Sequence, residues 1–206
     1  MGAHRGLVTF LLTDAPGSTG LWETDADATA AAAATLDDEL AAAVVACGGE
    51  LVKPRGEGDS HFCVFPEPAS AARAVIALGR HFQTGAGLRL RAAITSGAAE
   101  HRDGDWFGPV VNHGARLRAA ASPGQVVVGE PAARSIATTD LPAAAELADL
   151  GWHWLKDLER PLRAYELRHP DLPSGFGPLS SMAPPAADLR LPLDRFVGRA
   201  AARAAL

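Results

Sequence analysis

The chain has 206 residues, 48% of them hydrophobic and 21% charged, with a formal net charge of -5. This is the balance of an ordinary globular domain with a short extension, and its acidic sign argues against a surface that holds a nucleic-acid backbone. Cys47 and Cys63 sit in apolar settings and read as reduced thiols; no stretch reaches the roughly 18 apolar residues of a membrane span, and Met1 to Arg5 lack a signal-peptide core, so a cytoplasmic protein with no membrane partner is expected.

Leu7-Val8-Thr9-Phe10-Leu11-Leu12 is a near-continuous apolar run, the pattern of a central strand covered on both faces. It ends in Thr13-Asp14-Ala15-Pro16-Gly17-Ser18-Thr19. A carboxylate at a buried strand tip before a Gly-Ser-Thr turn can hold a cation while the turn offers amides to phosphate, or Asp14 can simply cap the next helix. From Leu21 to Cys47 the Ala-rich sequence predicts one helix with Leu36, Leu40 and Val44 on its buried face, stopped by Gly48-Gly49. Residues 50–53 and 61–65 predict a hairpin around Pro54-Arg55-Gly56-Glu57-Gly58-Asp59-Ser60, a loop that is either structural or functional. Ala71, Val75, Leu78 and Phe82 then follow helical spacing, and Leu88, Leu90, Ala92 and Ile94 alternate with Arg89 and Arg91 as in a strand.

In Asp105-Trp106-Phe107-Gly108-Pro109-Val110-Val111-Asn112-His113-Gly114-Ala115-Arg116, a polar loop runs into a helix that should begin at Pro109. Asn112 and Arg116 stand four residues apart on one face, while Val111, Ala115 and residues 117–119 supply packing. A guanidinium fork beside an amide suits an anionic, oxygen-rich ligand, although the same spacing also describes a solvated face. A short strand at 125–128, a short helix at 131–136 and a strand pair at 147–158 and 163–167 complete the expected domain. Past His169, repeated Pro and Gly read as a linker to about residue 195, followed by Phe196-Val197-Gly198-Arg199 as the start of a further module.

Four pieces in one order carry a resemblance: Thr13-Asp14-x-x-Gly17-Ser18-Thr19, Gly58-Asp59, Asp105-x-x-Gly108-x-x-Val111-Asn112-x-x-Ala115-Arg116, and Leu150-Gly151-Trp152-His153-Trp154-Leu155-Lys156-Asp157-Leu158. Residues 5–169 resemble the catalytic domain of class III nucleotidyl cyclases, and the tail from residue 196 resembles the start of ATPase modules in large regulators. The resemblance implies an α/β fold of the ferredoxin-like sandwich type, with a mostly antiparallel sheet, and conversion of ATP to 3′,5′-cyclic AMP and pyrophosphate in a homodimer. It implies two Mg²⁺ or Mn²⁺ ions held by Asp14 with Asp59, and Glu57 as a competing or extra ligand. It also implies that Asn112 orients the ribose, Arg116 neutralises the α-phosphate, Lys156 contacts the outer phosphates, and Gly17, Ser18 and Thr19 lie along them. Lys53 and Asp105 match the pair that reads the purine, and as donor and acceptor they complement adenine N1 and its amino group. The hairpin is two residues longer than the family pattern, so a second register would put Arg55 in place of Lys53. Pro16 and Gly114 also depart from the usual residues, and Gly114 should weaken its helix by about 1 kcal/mol relative to Ala.

Overall fold

The computed structural model describes residues 4–52, 60–85, 87–136 and 141–183. Its axis is β1 (His4–Asp14), in which Phe10 and Leu11 are both fully buried but in different apolar clusters. Successive side chains of a strand point to opposite faces, so a continuous apolar run follows from a sheet covered on both sides.

The helix predicted from Leu21 to Cys47 is two helices, α1 (Ser18–Thr24) and α2 (Ala26–Ala46). Asp25 breaks them apart: its carboxylate accepts the Ala28 N–H at 3.0 Å and starts α2 as an N-cap. Leu36, Leu40 and Val44 are buried as their spacing predicts, each stabilising the fold by about 1.5–3 kcal/mol. β2 (Glu50–Val52) and β3 (His61–Phe65) form the expected antiparallel pair, with Leu51 opposite Cys63. α3 (Pro68–Ala77) and a 3-10 turn at Gly79–Phe82 bury Ala71, Val75, Leu78 and Phe82.

β4 (Arg91–Arg102) starts later and runs further than the alternation at 88–94 suggests. Pairing decides its length, since β4 runs antiparallel along the whole of β1 and then folds back as β5 (Asp105–Phe107). α4 (Pro109–Ala120) begins where Pro109 places it, and β6 (Val126–Gly129), α5 (Glu130–Ser135), β7 (Glu146–His153) and β8 (Leu162–Arg168) follow. The sheet order is β2-β3-β1-β4-β6-β8-β7, with β5 on β4, and every pairing is antiparallel except β4 with β6. The result is the expected α/β fold with a mostly antiparallel sheet.

One sheet face carries α2, α3 and α5, whose Leu40, Val75 and Ala132 share a cluster with Leu11, Ile94 and Val128. The other carries α4, whose Leu117 and Ala120 meet Ala93, Val127 and Ala164. The fully buried stripe of α4 is Val110, Gly114, Leu117 and Ala120, in which Leu117 lies as expected; Val111 and Ala115 pack half-buried against the Phe10 cluster, also as expected, and Ala119 is exposed, a correction to its expected packing. Gly114 is where the helix approaches the sheet: a Cβ there would stand 2.6 Å from Leu12 Cδ1 and 3.0 Å from Thr95 Oγ1. Its absent side chain therefore serves packing as well as weakening the helix.

Residues 170–183 form only an isolated bridge, Trp154 with Met182, yet Leu172 and Leu179 are buried. Among the described residues no helix is long and apolar enough to cross a membrane. The motif at Phe196-Val197-Gly198-Arg199 lies outside the described residues.

Candidate active site

Asp14 ends β1 directly opposite Arg91, the first residue of β4. The guanidinium grips both carboxylate oxygens, Nε donating to Oδ1 at 2.7 Å and Nη2 to Oδ2 at 2.9 Å. Nη1 of the same residue donates to the Ala119 and Ala121 carbonyls at the end of α4, at 2.9 and 3.2 Å. Arg118 closes the other side, with Nη1 donating to the Thr13 carbonyl at 3.1 Å and a buried, unpartnered Nε 3.8 Å from Asp14 Oδ1. Two guanidinium groups thus surround one carboxylate, and fork-to-carboxylate pairing of this kind is both strong and directional.

Asp14 does not cap α1. The residue before that helix is Gly17, in the left-handed conformation with φ 86°, and no side chain caps the end. Ser18 is buried and its N–H donates to the Ala15 carbonyl, while Thr19 is exposed. Beside the strand tip, His61 Nδ1 lies 3.0 Å from the buried Thr13 hydroxyl, and its Nε2 lies 2.7 Å from Asp37. That chain ties β1, β3 and α2 together immediately next to Asp14.

The remaining candidates face elsewhere. Arg116 and Arg118 are two residues apart, so their side chains leave α4 roughly 200° apart. Arg118 turns to Asp14, whereas Arg116 turns to Asp157, its Nη2 forming an ion pair with Oδ2 at 2.8 Å. Asp157 follows the exposed Lys156 in a tight turn and has φ 60°, a left-handed conformation that Asp tolerates better than most residues. Asn112 is exposed one turn earlier on α4. Asn112 and Asp157 line a cleft of about 990 Å³ together with Trp106, Phe107, His113 and Pro161. Burial holds the His113 ring below the usual imidazole range. Asp105 lies at the edge of this region, its Oδ1 accepting the Trp106 N–H at 2.8 Å.

Lys53, Arg55, Glu57 and Asp59 lie outside the described residues. Among the described residues no three acidic, His or Cys side chains come together as a metal site. The hard oxygens of Asp14 fit Mg²⁺ or Mn²⁺, with Arg91 as the group that an ion would have to displace or share. Arg91, Arg118 and Asp157 are the site residues that sequence reasoning missed. Arg91 did alternate with apolar residues, but alternation reads only as a polar face and carries no information on its register with Asp14.

No family model matches the chain. An uncharacterised protein of Mycobacterium tuberculosis is 39% identical over 197 residues, which cover 95% of this chain and 68% of that protein. The pH-sensitive adenylate cyclase of the same species is 30% identical over 121 residues, 58% of this chain and 30% of that protein. Among solved structures, an adenylate cyclase from Trypanosoma brucei superimposes with a TM-score of 0.74 at 22% identity, over 84% of this chain and 92% of that one. The adenylate/guanylate cyclase/hydrolase of Silicibacter pomeroyi does so with a TM-score of 0.69 at 27% identity, over 80% and 98%. The chain belongs to the class III nucleotidyl cyclases. This cyclase domain thus carries its candidate groups on two separate sides of α4, Asp14 with two arginines on one and Asn112, Arg116 and Lys156 on the other.

Proposed function

We propose that this class III cyclase converts ATP to 3′,5′-cyclic AMP and pyrophosphate at sites shared between the two chains of a homodimer. The observation that carries the proposal is the division of α4: Asp14 and Arg116 stand on opposite sides of one helix, and each is paired to a different neighbour. One copy then offers Asp14 while a second offers Asn112, Arg116 and Lys156. The assignment of residues 5–169 as catalytic domain, of 170–195 as linker, whose first part to residue 183 packs back onto the domain, and of 196–206 as the start of an ATPase module belongs to the same proposal.

In this reading the ribose 3′-oxygen bonds to the α-phosphorus, its bond to the β-phosphate oxygen breaks, and the hydroxyl proton passes to solvent. Two Mg²⁺ or Mn²⁺ ions, held by Asp14 with Asp59 or Glu57, would supply charge neutralisation at the phosphates and acidify the hydroxyl. Asn112 fixes a ribose oxygen through its amide. Arg116 leaves Asp157 to meet the charge that grows on the α-phosphate, and the exposed Lys156 ammonium binds the outer phosphates. Lys53 donates to adenine N1 and Asp105 accepts from its amino group, which selects ATP over GTP.

The grip of Arg91 on both oxygens of Asp14 favours a second reading, a nucleotide-binding and dimerising module without turnover that serves an ATPase or transcription regulator. Assay of the full chain with Mn²⁺ and ATP or GTP over a range of protein concentrations separates the two. Cyclic AMP formation whose specific rate rises with concentration is expected. ATP binding without product would establish the second reading, and equal use of GTP, unchanged in Lys53→Glu, would remove Lys53 from the base.

A further inference from the structure

The chain does not leave the domain after β8. Asp171 lies against Gly79, its carbonyl accepting from Gln83 Nε2 at 2.9 Å, and Leu172 is buried with Leu78 and Phe82 on the α2–α3 face. It then crosses to the opposite face, where Leu179 is buried among Ala93, Leu117, Ala120 and Leu155. Two backbone bonds fix the crossing: Ser180 N–H to the Ala120 carbonyl at 3.0 Å, and Met182 N–H to the Trp154 carbonyl at 2.7 Å.

These two carbonyls belong to the elements that carry the phosphate-facing groups. Ala120 is the last residue of α4, and the carbonyls on either side of it, Ala119 and Ala121, hold Arg91, which in turn holds Asp14. Trp154 precedes the Leu155–Leu158 turn that presents Lys156 and the Asp157 partner of Arg116. Leu155 is the buried foot of that turn, and it shares its cluster with Leu179.

We propose that residues 178–182 are a positioning strap that clamps the end of α4 to the lysine turn and thereby sets Lys156 and Arg116 at a common depth for a nucleoside triphosphate. The proposal rests on the cyclase reading for its nucleotide but not for the clamp itself. Buried carbonyls that lose their donors and a turn that loses its hydrophobic foot both loosen, so the strap acts through the residues it holds and never touches substrate.

The test compares Leu179→Ala, Leu179→Met and Leu172→Ala in the full chain by thermal unfolding, amide hydrogen exchange and ATP kinetics. Leu172→Ala is the control, since it opens a similar hole in the same segment on the face away from the site. Leu179→Ala should speed exchange of residues 153–158 at least about tenfold and raise the KM for ATP at least about threefold, with a smaller change in kcat. Leu179→Met should restore both, and Leu172→Ala should lower Tm to a similar degree without either effect. Unchanged exchange at 153–158 in Leu179→Ala, or the same exchange and KM changes in Leu172→Ala, overturns the strap. If the parent forms no cyclic nucleotide, the cyclase reading fails, while the exchange comparison still decides the clamp.

Discussion

The two sides of α4 differ in how completely this chain satisfies them. On the side toward the sheet, Arg91 grips both oxygens of Asp14 and the carbonyls of Ala119 and Ala121, Arg118 holds the Thr13 carbonyl with its Nε 3.8 Å from Asp14, and both side chains are 19% exposed. On the other side Asn112 and Lys156 are exposed and Arg116 has a single ion pair with a 56% exposed Asp157. The first side is preorganised by the fold, so its geometry exists before any ligand arrives. The second is held loosely and is completed from outside, which is what a surface facing a substrate and a second copy requires.

The largest effects should come from the more buried side. Asp14→Ala leaves two partly buried guanidinium groups facing one another without their carboxylate, and breaking such a pair lowers stability by about 3 kcal/mol. Urea unfolding should show that loss together with abolished turnover; an Asp14→Ala protein as stable as the parent would remove the contrast between the two sides. Arg116→Ala should behave in the opposite way, reducing turnover at least about a hundredfold as a lost charge-stabilising donor does. Its stability should change by under about 1 kcal/mol, because an exposed pair contributes little. Mixing Arg116→Ala with Asp14→Asn, each inactive alone, should recover part of the activity, since a mixed dimer holds one intact site; no recovery in a sample shown by mass spectrometry to contain mixed dimers would place both residues in one chain's site.

The smallest effect concerns His113, on the loosely held side. Burial holds its folded value below the free value of 6.5, so below that value the unfolded chain binds more protons than the folded one. Stability is therefore full above the free value and falls as the pH drops below it. Thermal unfolding from about pH 7.5 to about pH 5.5 should show a decline in Tm that His113→Gln makes shallower. An identical slope in the variant would assign the decline to other groups.

Much of this fold was legible because single residues forced it. The apolar run of β1, the Leu36, Leu40 and Val44 repeat and Pro109 at the start of α4 each have one physical meaning at their spacing. Asp25 escaped because an N-cap inside an Ala-rich stretch does not interrupt the apolar period. Asn112, Arg116 and Lys156 could be picked out as a motif; in the structure Asn112 and Lys156 are exposed and Arg116 is half-buried against Asp157, and their roles remain those of the proposal. The partners of Asp14 were not, since they depend on which residue of β4 lies opposite residue 14 and on the direction in which Arg118 leaves α4. Both follow from long-range pairing and crossing geometry rather than from local spacing.

The central place of β1 in the sheet has a consequence for how the chain is made. Within the domain this strand is translated well before its partners, β3, near residue 63, and β4, from residue 91 onward. Until about residue 65 has left the ribosome, Phe10, Leu11 and Leu12 have no strand beside them, and the β4 side of the strand stays open until residue 91 and beyond. Pairings so distant in sequence form slowly, and a bare apolar strand in the interval is open to association with other chains. The α2 helix, complete by residue 46, is the earliest local element able to cover one face of that strand, through Leu36, Leu40 and Val44 against the Leu11 side. Synthesis that stalls between residue 46 and the start of α4 at 109 would therefore leave the opposite, Phe10 face without its helix, and nascent chains arrested there should be the most dependent on chaperones.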